Sequence, residues 1–172
     1  GMPAIGRDVL DLMHAGLILR GRADVIKERV GIIGFERAGP AALYAAALDT
    51  RFYATALCGC VARYRSLPIA RDRDSAEALM QLQQGTVPPG LLKWADFEDI
   101  ACLLAPRILL LYQGGDQIPV AIARKAADLA TEGYTAMGEK IRIETEITDE
   151  PVAYPGPRVL QFLEDWLKLP VR

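Results

Sequence analysis

Arg29-Val-Gly-Ile-Ile-Gly-Phe-Glu-Arg-Ala-Gly-Pro-Ala-Ala-Leu-Tyr-Ala-Ala-Ala-Leu-Asp49 changes character at its middle. Arg29–Phe35 is a short apolar run built around Val30, Ile32 and Ile33. A run of that length and composition suits a strand buried on both faces. Ala38–Leu48 is rich in small residues and reads as a helix, with Pro40 tolerated in its first turn. Glu36 and Arg37 join the two, within the stretch Gly34-Phe35-Glu36-Arg37-Ala38-Gly39.

Upstream, residues 7–20 predict an amphipathic helix with Val9, Leu10, Leu12, Met13 and Leu17 as its apolar positions. Gly21 is a plausible stop, and Asp24–Arg29 a polar connector. Downstream, strands are expected over Phe52–Cys60, Arg107–Tyr112 and Lys140–Ile147. The last alternates Ile141, Ile143, Thr145 and Ile147 with charged residues, the pattern of a strand with one wet face near a sheet edge. Helices are expected over Ser75–Gln84, Asp96–Leu104 (ended by Pro106), Pro119–Thr131 and Pro157–Leu167, with Thr86–Gly90 as a loop. Strands alternating with helices imply a mainly parallel sheet covered on both faces, a three-layer α/β/α sandwich. Right-handed crossovers lay the four strands side by side in chain order.

The 172 residues, 51% hydrophobic and 24% charged, suffice for one domain with a real core, and no linker or repeat divides residues 1–172. A net charge of −2 offers no basic footprint for nucleic acid. Charge or glycine interrupts every apolar stretch well before the ~18 residues that a membrane span needs. Gly1 before Met2 looks like a tag remnant and no export signal follows it, so a cytoplasmic location is expected. Three cysteines (Cys58, Cys60 and Cys102) do not make a disulfide framework. Cys58 and Cys60, two apart on an apolar run, read as small buried hydrophobes sharing one strand face. The one histidine, His14, sits in the first helical pattern, and no cluster has metal-ligand spacing. No cofactor or metal is expected.

Three segments together resemble the α/β-hydrolase superfamily, and within it acetyl-xylan-esterase-like and related carboxylesterase members. The first is Arg29–Asp49, similar to the strand, G-x-S-x-G nucleophile elbow and helix of that family. The second, Pro106-Arg-Ile-Leu-Leu-Leu-Tyr-Gln-Gly-Gly-Asp116, resembles the strand ending in the triad acid. The third is the last strand, loop and final helix, where the family carries its histidine. Leu92–Pro106 also looks like members of this group. The resemblance covers nearly the whole chain but only the latter part of a full family domain. It implies that the N-terminal strands, and the oxyanion N–H they supply, are missing.

In the family the elbow lifts a serine above the sheet edge, and the next backbone N–H helps to hold the oxyanion. Here Glu36 stands at the serine position, Arg37 at the oxyanion-hole position and Ala38 at the second motif glycine. Glutamate lacks the attacking hydroxyl and puts negative charge where an oxyanion would form. Asp116 matches the triad acid, whose role is to orient a histidine. The loop expected to carry that histidine, Thr148–Pro157, has Asp149, Glu150 and Tyr154 but no histidine. The resemblance therefore implies an esterase-like domain with a degenerate triad.

The plainer reading of Glu36 is an exposed charge at a helix N-terminus, worth roughly 0.3–1 kcal/mol. The sharper one is a carboxylate site of Glu36, Asp116 and Glu150 dividing acid and base roles. Arg37 would pair with Glu36 or hold an anion, and the Gly114-Gly115 pair reads as turn chemistry. A small-molecule or acyl-ester ligand is the expected occupant of the cleft. The elbow strand has no charge or proline to blunt an open edge. A cover is therefore expected, either a homodimer pairing elbow strands antiparallel into eight strands or the N-terminal helix.

Overall fold

The computed structural model describes residues 3–67, 86–115, 118–151 and 156–168. Helix α1 (Ala4–Arg20) leads into strand β1 (Val30–Phe35), a 3-10 turn over Glu36–Ala38, and helix α2 (Gly39–Leu48). Strand β2 (Phe52–Cys58), helix α3 (Phe97–Cys102) and strand β3 (Ile108–Gln113) follow. Helix α4 (Val120–Ala136), strand β4 (Ile143–Ile147) and helix α5 (Pro157–Lys168) complete the described elements. All three strand pairs are parallel, in the order β1-β2-β3-β4. This is the expected three-layer fold.

The strands read as continuous apolar runs because the sheet is covered on both sides. On one face Leu57, Leu109 and Leu111 pack with Leu43, Phe97, Ala126 and Tyr134 of the helices. On the other, Ala54, Ala56, Ile108 and Leu110 pack against Val159 and Phe162 of α5. Helix α2 is buried from Gly39 to Ala46, which explains a sequence with no polar stripe. It lies between the sheet, α1 and α3.

Several expectations need correction. In α1 the buried face is Ile5, Val9 and Gly16, whereas Leu10 and Leu17 are exposed. Gly16 faces the ring of Phe52, 2.9 Å from where its β-carbon would stand, so the contact selects a residue without a side chain. Lys140–Arg142 forms a 3-10 turn instead of strand, leaving Ile141 80% exposed, and β4 begins at Ile143. Helix α4 continues five residues beyond Thr131, since Ala130 and Tyr134 extend its buried stripe. Cys58 and Cys60 do not share a face: Cys58 packs in the α5-side cluster, Cys60 in the opposite one. Gly59 lies between them at φ 66°, ending the two-residue alternation of the strand. The helix expected over Ser75–Gln84 lies outside the described residues.

Candidate functional site

In a parallel sheet the carboxyl ends of the strands are where ligands are held. Four such ends converge here. At the end of β1, Glu36 has φ 46° and is the only residue other than glycine with positive φ among the described residues. That left-handed conformation is costly for a side-chain-bearing residue and is the strain that an elbow imposes. It persists because its surroundings admit nothing bulkier. A β-carbon on Gly34 would meet the Gly39 α-carbon at 2.6 Å, and one on Gly39 would meet Cys60 Sγ at 2.1 Å. On Gly59 it would lie 3.2 Å from Glu36 Cγ.

Glu36 is therefore neither fully exposed nor on the first turn of α2. It is half-buried, one 3-10 turn ahead of the helix. Arg37 is exposed, and no ion pair joins it to Glu36 among the described residues, contrary to the simpler expectation for that pair.

The loop after β2 is tied to the end of β3. The Gly59 N–H donates to the Tyr112 carbonyl at 3.0 Å. Gln113 is fully buried; its Oε1 accepts from the Val61 N–H at 2.9 Å, and its Nε2 donates to the Gly114 carbonyl at 2.8 Å. Beyond β3, the Gly115 N–H donates to the Glu150 carbonyl at 3.3 Å. A β-carbon on Gly115 would stand 2.6 Å from the Asp149 carbonyl oxygen. The two loops that the sequence pointed to, at the acid and histidine positions, thus meet. Asp149 and Glu150 are exposed. Asp116 and Tyr154 lie outside the described residues.

A second anchor is Asp96, 1% exposed at the N-cap of α3. Its carboxylate accepts from the backbone N–H groups of Tyr64 (2.7 Å), Arg65 (3.1 Å) and Phe97 (2.8 Å), while its own N–H donates to Asp99 Oδ2 at 2.8 Å. Arg63 adds an ion pair to Glu98 at 2.7 Å. The segment from Cys60 to Leu67 is therefore fixed as the wall facing Glu36. Glu36, Cys60, Tyr64 and Ile118 line one small cavity of about 20 Å³. Asp96 marks a helix start in the sequence, but Gln113 and Tyr64 carry no local signal, because their roles arise from contacts distant in the chain.

The thiols supply no nucleophile. Burial pushes Cys58 up to about 12 and Cys60 further in the same direction. No group of acidic, cysteine or histidine side chains among the described residues has the geometry of a metal site. His14 is exposed on α1, and the Gly16–Phe52 contact puts this part of α1 beside the first residue of β2. Glu36 follows the last residue of β1, at the opposite end of the parallel strands, so His14 is no base for it. A larger groove of about 690 Å³ runs between α1, α2 and α3, lined by residues such as Val9, Met13, Leu48 and Leu103. Among the described residues its walls are almost wholly apolar, with Tyr44 as the one titratable side chain.

No family model matches the chain, and no curated protein does. Solved structures do. A carbohydrate esterase family 15 glucuronoyl esterase from Caldicellulosiruptor kristjansonii superposes with a TM-score of 0.75 at 18% identity, over 97% of this chain and 51% of that one. A glucuronoyl esterase from Solibacter usitatus gives 0.70 at 21%, over 94% and 48%. The glucuronoyl esterase catalytic domain from Hypocrea jecorina gives 0.72 at 17%, over 96% and 52%. The chain has the α/β-hydrolase-like fold of these esterases and spans about half their length. No helix among the described residues is long and apolar enough to cross a membrane.

Proposed function

We propose that this chain is an esterase-like α/β domain that acts in ligand binding or assembly without serine-hydrolase chemistry. The observation that carries this reading is Glu36 held at φ 46° in the elbow. The strained elbow position carries a carboxylate where serine hydrolysis needs a hydroxyl. Serine-type hydrolysis also needs a base, and the chain's one histidine is at the other end of the sheet. Without nucleophile and base, several orders of magnitude in rate are gone. What remains is the carboxyl edge of the sheet, with Glu36 and Arg37 after β1 and the loops after β3 and β4. It suits a small ligand with hydroxyl donors, such as the sugar esters implied by the names of the glucuronoyl esterases. Assembly would use the free side of β1, paired with a second copy of the chain.

A second reading is weak, carboxylate-assisted ester hydrolysis. It is favoured by the approach of the Gly115 loop to Asp149 and Glu150, near where Asp116 follows in the chain. Hydrolysis of p-nitrophenyl acetate separates the two. We expect the protein to match the background rate of its Glu36→Ala and Asp116→Asn variants. Turnover that both substitutions abolish would replace the binding reading with the carboxylate mechanism.

A further inference from the structure

The cavity beneath the elbow is the right size for one water molecule. It measures about 20 Å³, against the ~10–15 Å³ that a water requires. Its walls are mostly apolar, with Ala62, Leu67 and Ile118 among them, but Glu36 and Tyr64 line it together. Tyr64 is 8% exposed, and its hydroxyl is enclosed, with no partner among the described residues other than the neighbouring Tyr44 hydroxyl. The hydroxyl of Tyr44, one turn along α2 from Pro40, is enclosed in the same way.

The two phenols lie close enough to act on each other, and burial keeps both protonated: Tyr44 is pushed up to about 12, and Tyr64 is raised as well. Two hydroxyls facing one another satisfy only one of their two protons. The other needs an acceptor outside the pair, because an unpaired buried donor costs about 1–3 kcal/mol. Glu36 is the one carboxylate on the cavity wall among the described residues.

We propose that this cavity holds one ordered water that accepts the Tyr64 hydroxyl proton and donates to the Glu36 carboxylate. Tyr64 is then a positioning residue. It fixes the elbow carboxylate from below. This inference deepens the proposed binding function and rests on it for its consequence, but the water itself does not depend on any ligand.

The test is a high-resolution crystal structure of the ligand-free protein and of Tyr64→Phe, with urea unfolding of both, alone and combined with Glu36→Ala. The aromatic ring, which meets Phe97 edge-on at 6.1 Å between centroids, is kept by this substitution. We expect one density peak within hydrogen-bonding distance of Tyr64 and Glu36, lost in Tyr64→Phe. The folding equilibrium should fall about five- to tenfold in Tyr64→Phe, and by less when Glu36 is already alanine. A cavity without density, a water that does not reach Glu36, or a Tyr64→Phe protein as stable as the parent would each overturn the proposal. Failure of the protein to bind any sugar ester would leave these results untouched and count only against the binding function.

Discussion

A β-carbon built on Gly34 would stand 2.6 Å from the α-carbon of Gly39 and 2.7 Å from the Ala42 β-carbon. The end of β1 and the start of α2 therefore meet with no side chain between them. That contact sets the sharpness of the turn at Glu36.

Gly34→Ala should consequently be among the more damaging single-methyl changes in the chain. The new carbon meets backbone as well as the Ala42 methyl, so the strand or helix must shift. We expect a loss of about 2–3 kcal/mol, the upper part of the range for overpacking. Urea unfolding should show a lower midpoint at an unchanged slope. A midpoint equal to the parent's would mean that the elbow is looser than these distances require.

Which parts of this were legible beforehand follows from the range of the forces involved. Strand order was readable because Val30–Phe35, Phe52–Cys58 and Ile108–Gln113 are apolar runs bounded by turn residues, and chain-order adjacency follows from crossover handedness. The elbow was readable from the resemblance of Gly34-Phe35-Glu36-Arg37-Ala38 to a G-x-S-x-G motif at a strand–helix junction. Alternation misled at Ile141, where the chain turns before entering the sheet. It misled again at Cys60, where the positive φ of Gly59 changes the face. Gln113 and Tyr64 were invisible because hydrogen bonding and cavity geometry join them to residues far along the chain.

Asp96 is expected to be the most sensitive acidic position for folding. Three backbone N–H groups converge on its carboxylate, and it is 1% exposed. Asp96→Ala orphans all of them and removes the N-cap of α3, for a loss of about 3 kcal/mol. Asp96→Asn keeps one acceptor oxygen and should cost less. Equal stabilities for the two variants, measured by urea unfolding, would show that the loop from Cys60 to Leu67 is held by something else.

Stability should decline on the alkaline side earlier than loss of lysine charge would dictate. In the unfolded chain Tyr44 ionises near its ordinary value of 10.0, and in the folded protein at about 12, because burial disfavours the phenolate. Below pH 10 the group is neutral in both states and its contribution is intact. Between about 10 and 12 the unfolded chain holds fewer protons, so stability falls as pH rises. Cys58 acts in the same sense from 9.0 to about 12. Urea midpoints between pH 8 and 11 should slope downward, and Tyr44→Phe should flatten the slope. An identical slope in that variant would remove Tyr44 from the explanation.

The free side of β1 gives the last expectation. Val30–Phe35 pairs with β2 on one side only among the described residues, and its interior carries neither charge nor proline. The side of an edge strand that faces away from its neighbour is a template for another strand. Helix α1 packs against α2 and the face of the sheet, burying Ile5, Val9 and Gly16, and contributes no strand-like pairing to that edge. A two-fold axis at the edge would pair β1 antiparallel with its copy and join two four-stranded sheets into one of eight. Light scattering should then give twice the 18.8 kDa chain mass, falling toward the monomer on dilution. Ile33→Lys places a charge on β1, at a half-buried position beside the α5-side cluster, and should shift the protein to monomer while its far-UV circular dichroism is retained. A parent protein that stays monomeric from micromolar to millimolar concentration would rule out self-pairing, leaving the edge to a strand from a different chain.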